Sequence, residues 1–140
     1  CRMGVMHRNT YLDSPRLLDN TYSLKSDPRI FFAGQMTGVE GYIESTASGF
    51  VAGLSAAAAV LDRELPYTMS DHTMIGAMAM YISDTTVRNF QPMNANFGLI
   101  APLGYKIRNK KEKYLEYAKR SLEEIENYRI AAEDFFRDQA

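Results

Sequence analysis

The apolar run Ile30-Phe31-Phe32 leads straight into Ala33-Gly34-Gln35-Met36-Thr37-Gly38-Val39-Glu40-Gly41-Tyr42, and five of the nine glycines fall between positions 34 and 53. No other stretch restricts the fold as much. β-Branched and aromatic residues following Pro28 predict a short buried strand over residues 30–34. Gly34, Gly38 and Gly41 predict a turn that uses positive φ or brings backbone close to a ligand. A helix then begins near Tyr42 to Glu44 and runs from about 43 to 62. Within it Gly49, Gly53 and Ala57 recur every fourth residue and share one face, which predicts close packing on a sheet or loop. Two mid-helix glycines cost roughly 1 kcal/mol each against Ala, so that packing has something to offset.

A glycine-rich turn at a helix start suits a phosphate or polar cofactor resting on backbone N–H groups. Glu40 and Glu44 lie near the positive end of the helix dipole. Glu40 is also placed to accept hydrogen bonds from a ligand or from loop N–H groups. The same pattern describes a strand–turn–helix corner with no ligand, and the G-x-G-x-x-G fingerprint is absent. Pattern alone therefore gives a place for a ligand without naming it.

Downstream, Pro66 breaks the chain. A second helix is predicted over about 71–83, capped by Ser70 or Asp71, with Met74, Ile75, Met78, Tyr81 and Ile82 on its apolar face. Residues 84–108 read as an ordered loop anchored by Phe90, Met93, Phe97, Leu99 and Ile100. In it Gln91, Asn94 and Asn96 either contact a ligand or brace the loop. A last helical segment spans about 109–137, with Leu115, Ala118, Leu122 and Ile125 as its apolar stripe; Asn127 to Ile130 either continue it or hold a break. Upstream, Arg16 to Lys25 reads as one or two short strands around a turn at Asp19-Asn20.

At 140 residues and 46% hydrophobic the chain can bury the core of one domain. No signal peptide and no apolar stretch long enough to span a bilayer is read; the run Ala56 to Leu61 is too short. One cysteine excludes an internal disulfide framework and a cysteine-based zinc site, and a cytoplasmic setting is the simple reading. His7 and His72, without clustered acids, predict no metal site.

Three segments together resemble one family: GVMHRNTYLDSPRLL, FFAGQMTGVEGYIESTASGFVAGLSAA and FQPMNANFGLIAPL. It is the bacterial folate- and FAD-dependent tRNA (uracil-5-)-methyltransferase family, and the resemblance covers about residues 2 to 120. It implies an α/β fold (α+β as an isolated fragment) belonging to a Rossmann-like FAD-binding domain, with few short strands and three main helices. The domain would span residues 1–140. The implied activity is formation of 5-methyluridine in the T loop of tRNA. Methylenetetrahydrofolate donates the carbon, and FAD reduced by NADH or NADPH supplies electrons. By this resemblance Gly34, Gln35, Thr37, Gly38, Val39, Glu40, Gly41 and Tyr42 receive the flavin, and His7, Arg8 and Asn9 the folate, with His7 against the pterin ring.

The family's amino-terminal glycine fingerprint is missing, as are the cysteines assigned to attack on uracil. The chain thus resembles the carboxy-terminal part of a longer enzyme, whose amino-terminal part is the expected partner. A non-catalytic RNA-binding or structural module is a second reading. The related flavoprotein that modifies the tRNA wobble uridine is a third.

Net charge is −1, so no global pull on RNA exists. Locally, Lys106, Arg108, Lys110, Lys111, Lys113, Lys119 and Arg120 face two acids, Glu112 and Glu116, leaving +5. Lys106, Arg108, Lys110, Lys111 and Lys113 are the candidate tRNA phosphate contacts. The competing reading is a solvated helix face, with Tyr105, Tyr114 and Tyr117 packed on the core and a Glu116–Arg120 pair supporting the helix.

Overall fold

A computed structural model of the chain describes residues 10–65 and 68–137. Cys1, His7, Arg8, Asn9 and the break expected at Pro66 lie outside the described residues. In order, the elements are helix α1 (Ser14–Leu17), strands β1 (Ser23–Leu24) and β2 (Asp27–Phe31), a 3-10 turn (Gln35–Thr37), and helices α2 (Tyr42–Val60), α3 (Met74–Ser83) and α4 (Lys110–Arg137). Three long helices with a small sheet agree with the coarse class.

The strand expectation needs correcting. β2 occupies 27–31 instead of 30–34, pairs antiparallel with β1 alone, and is largely exposed, with Ile30 44% accessible. A ribbon of two strands covers one face at most, and Pro28, which has no N–H to give, is tolerated on such an edge. The segment 16–25 is likewise less extended than expected. Pro15 sits in the first turn of α1, where a missing N–H costs nothing. The turn at Asp19 does form. Its carboxylate accepts from the Thr21 N–H at 2.9 Å and from the Ser23 hydroxyl at 2.8 Å.

The main core gathers Leu18, Tyr22, Val39, Ala52, Met78, Ile82 and Phe90, drawn from α1, the glycine turn, α2, α3 and the following loop. A smaller cluster of Ala77, Ile100 and Tyr117 joins α3 to α4.

Helix α2 starts where expected but turns the other way. Ser48, Ala52, Ser55 and Ala58 are buried, while Gly49, Gly53 and Ala57 face outward with open space at both glycines. Two small-residue stripes lie one residue apart in the sequence. The serine-bearing stripe packs inward, where Ser48 accepts from the Gly34 N–H at 2.7 Å, and Ser55 satisfies its hydroxyl within the helix by donating to the Val51 carbonyl at 2.8 Å. By length and composition α2 is also apolar enough to cross a bilayer, contrary to the sequence reading, with mean hydropathy 1.3 over its best window. That reading weighed only the unbroken run Ala56 to Leu61, whereas α2 carries its apolarity through the serines and glycines that precede it.

α3 begins at Met74 because Thr73, not Ser70 or Asp71, caps it, accepting from the Gly76 N–H at 3.0 Å. At Gly76 a Cβ would overlap the carbonyl oxygens of Ser70 and Met69, so glycine lets that loop lie on the helix. α4 also presents a different face from the expected one. Tyr117, Tyr128 and Phe135 are buried, whereas Leu115 is 59% and Leu122 70% exposed. The longer rings reach across to the small platform of Ala77 and Ile100 and to Arg63, whose guanidinium lies 4.1 Å from the Phe135 ring.

Candidate functional site

The turn after β2 is built on its own backbone. Thr37 is fully buried and returns both its N–H and its hydroxyl to the Gly34 carbonyl, at 3.0 and 2.8 Å. Gly38 follows at φ 89°, and Phe90 lies where its Cβ would be. Val39, 1% exposed, anchors the turn in the core. Its neighbours are stitched to the later loop: the Met93 N–H donates to the Gly38 carbonyl at 3.0 Å, and the Glu40 N–H to the Met93 carbonyl at 3.1 Å.

This stitching delivers the 91–96 loop to the start of α2. Asn94 donates to the Glu40 carbonyl at 2.7 Å, and Asn96 braces the Gly98 N–H at 3.0 Å. Glu44 folds back over Gly41 and accepts the Ala95 N–H at 2.9 Å. The acid thus answers the helix dipole and the loop together. Gly41, at φ 116°, opens α2 with no side-chain cap.

A cavity of about 740 Å³ lies at this helix start, lined by Gly34, Gln35, Glu40, Gly41, Tyr42, Ser45 and Asn94. The structure therefore brings together Gly34, Gln35, Glu40, Gly41 and Tyr42 around one space. Thr37, Gly38 and Val39 support it from behind, with the Thr37 and Val39 side chains buried. Ser45 and Ser48 were missed by the sequence reading. Their signal was position: one turn into the helix, Ser48 holds the Gly34 N–H and donates to the Ser45 carbonyl at 2.7 Å. Beside the cavity, sharing Tyr42, an apolar hollow of about 450 Å³ is lined by Ile43, Thr46, Ala47, Phe50 and Ile75.

The basic segment lies apart from this cavity. Lys106, Arg108, Lys110, Lys111 and Lys113 are all exposed. Arg120 is not part of that surface: it donates to the carbonyls of Ala101 at 2.5 Å and Pro102 at 3.1 Å. The expected Glu116–Arg120 pair is replaced by Tyr105 donating to Glu116 at 3.2 Å. Partial desolvation, then the Glu116 carboxylate, push the Tyr105 hydroxyl up from its ordinary value. Further along α4 the acids are taken by their own arginines, Arg129 with Glu126 and Glu133, Arg137 with Asp134. His72 lies 3.2 Å from Glu124, tying the loop before α3 to α4. Among the described residues no group of three or more His, Cys, Asp or Glu side chains is placed to hold a metal ion.

Residues 1–64 match the family described as glucose inhibited division protein A. Among curated proteins, the chain is 59% identical over 126 residues to methylenetetrahydrofolate–tRNA-(uracil-5-)-methyltransferase TrmFO of Bacillus licheniformis, covering 90% of this chain and 29% of that protein. To the protein of the same name from Bacillus subtilis it is 58% identical over 125 residues, 89% of this chain and 28% of the relative. The Bacillus pumilus relative gives 58% over 125 residues. The chain spans less than a third of the length of these relatives, and the match lies in their carboxy-terminal part.

Proposed function

Because the chain belongs to the family of TrmFO methylenetetrahydrofolate–tRNA-(uracil-5-)-methyltransferases, we propose that it works as the carboxy-terminal part of such an enzyme, forming 5-methyluridine in the T loop of tRNA. The observation that carries this reading is the cavity at the uncapped start of α2. A flavin fits its chemistry: the cavity opens at a helix N-terminus, Gln35, Ser45 and Asn94 line it with polar groups, and Gly34 leaves room for close approach, while Glu44 fills the space over Gly41. Bound FAD would supply the electrons, received from NADH or NADPH, and relay the carbon from folate.

In this reading Gly34, Gln35, Gly41 and Tyr42 hold the flavin, with Glu40 and Asn94 fixing the rim. Thr37, Gly38 and Val39 act by keeping the turn in shape. His7, Arg8 and Asn9 take the folate, on the strength of the resemblance alone. Lys106, Arg108, Lys110, Lys111 and Lys113 meet tRNA phosphates. The outward face of α2, from Tyr42 through Gly49, Gly53 and Ala57 to Val60, carries no charge. We read it as the seam with the rest of the longer protein, not as a membrane span, because the opposite face packs on α3 and β2. The setting is cytoplasmic in this reading, and no metal takes part.

A chimera tests it: residues 1–140 replace the matching segment of the Bacillus subtilis relative, in a strain lacking that enzyme. The expected product is a yellow, flavin-bearing protein that restores 5-methyluridine to tRNA. A colourless protein without methylation overturns the reading, and wobble-uridine modification in its place points to the related flavoprotein.

A further inference from the structure

The loop between α3 and α4 meets the first turns of α4 through aromatic rings set among cations. Phe97 and Tyr114 are stacked, with ring centroids 4.2 Å apart and planes 6° from parallel. Both remain open to solvent, 42% and 36% exposed. Behind them Tyr117, 4% exposed, tilts against Phe97 at 5.6 Å and fixes the pair from inside. The Lys110 ammonium stands 5.5 Å from the Tyr114 ring centroid. A groove of about 430 Å³ runs beside it, lined by Lys110, Lys111, Tyr114 and Leu115. Of the two acids in this stretch, Glu116 is held by Tyr105.

We infer that Phe97 and Tyr114 form a stacking platform for an unpaired base of RNA, with Lys110 and Lys111 on the adjoining phosphates. The inference rests on the tRNA reading above and adds to it which kind of nucleotide is met and by which rings. A single exposed aromatic is ordinary surface. A rigid ring pair that keeps its exposure, beside ammonium groups, is the combination that holds single strands: ring face to base, cation to phosphate. Paired RNA keeps its bases stacked in the helix and offers this surface only its phosphates. Lys110 covers the Tyr114 ring in the free protein, and it leaves the ring for a phosphate when a base arrives.

The test uses the 140-residue chain and two RNAs: a T-arm hairpin with 2-aminopurine in its loop, and a blunt duplex of the same stem. The wild type binds the hairpin more tightly and alters 2-aminopurine fluorescence. Tyr114→Ala weakens the hairpin about tenfold, abolishes the fluorescence change and leaves duplex affinity and salt slope unaltered. Tyr114→Leu, which keeps apolar packing on Phe97, does the same, so loss of fold is not the cause. Lys110→Gln with Lys111→Gln weakens both RNAs and flattens the salt slope by about 1–2. If the lysine changes weaken binding while both Tyr114 variants bind like the wild type, the platform falls and the tRNA reading stands. If the Tyr114 variants weaken hairpin and duplex equally, the platform also falls. If the wild type binds neither RNA at low salt, both fall.

Discussion

At Gly38, φ 89° and the ring of Phe90 exclude a side chain for two separate reasons. A left-handed backbone costs an L-residue about 1–2 kcal/mol, and overlap with a packed ring adds about 1–3. Gly38→Ala is therefore expected to lower stability by about 2–4 kcal/mol in urea titration. In a Phe90→Ala background the same change costs only about 1–2 kcal/mol, because the overlap is gone and the backbone term remains. Equal costs in both backgrounds would show that Phe90 plays no part. The sequence reading gave Gly38 to the ligand, as a point of close approach. Its glycine was visible in the sequence, but the group that needs the space lies 52 residues further along the chain, which local pattern cannot reveal.

Helix α2 was legible in start, length and small-residue content, and its facing was not. A Cβ at Gly49 or Gly53 would meet no other atom within 4 Å. Replacing each with Ala is expected to stabilise the 140-residue chain by about 0.5–1 kcal/mol, through lower unfolded-state entropy. In the Bacillus subtilis chimera the same pair is expected to lower stability, if that face meets the rest of the protein at close range. Thermal melts of both proteins decide; a gain in both removes the seam. α4 repeats the lesson. Its span was readable from spacing, with a break left open at Asn127 to Ile130 that the continuous helix rules out, yet Leu115, Ala118 and Leu122 of the expected stripe face outward and three rings face in. Hydrophobic spacing identifies a helix, while the facing depends on which side chains fit the surface beneath.

Over the whole molecule, stability at high pH is tied to buried tyrosines, Tyr22 foremost, with Tyr128 also pushed up by burial. Tyr22 is 1% exposed at φ 65°, and burial pushes its hydroxyl above the ordinary range. A raised value in the folded state means its contribution is complete below the unfolded tyrosine value of about 10 and is lost as pH rises beyond it. Urea midpoints are expected to hold to about pH 10 and then fall, and Tyr22→Phe to fall less steeply over the same interval; identical curves would assign the loss elsewhere. By itself the sequence determined the glycine turn, the helix that follows it, the three-helix content and the family, because these depend on local backbone freedom, periodicity and a specific string of residues. Only the tertiary structure decided that β2 lies exposed in a two-stranded ribbon, that Asn94 reaches the cavity rim on a loop held by Glu44, and that Tyr114 stays open while Tyr117 is buried. Those outcomes depend on contacts between segments far apart in the chain, where the partner, not the residue, sets what is covered.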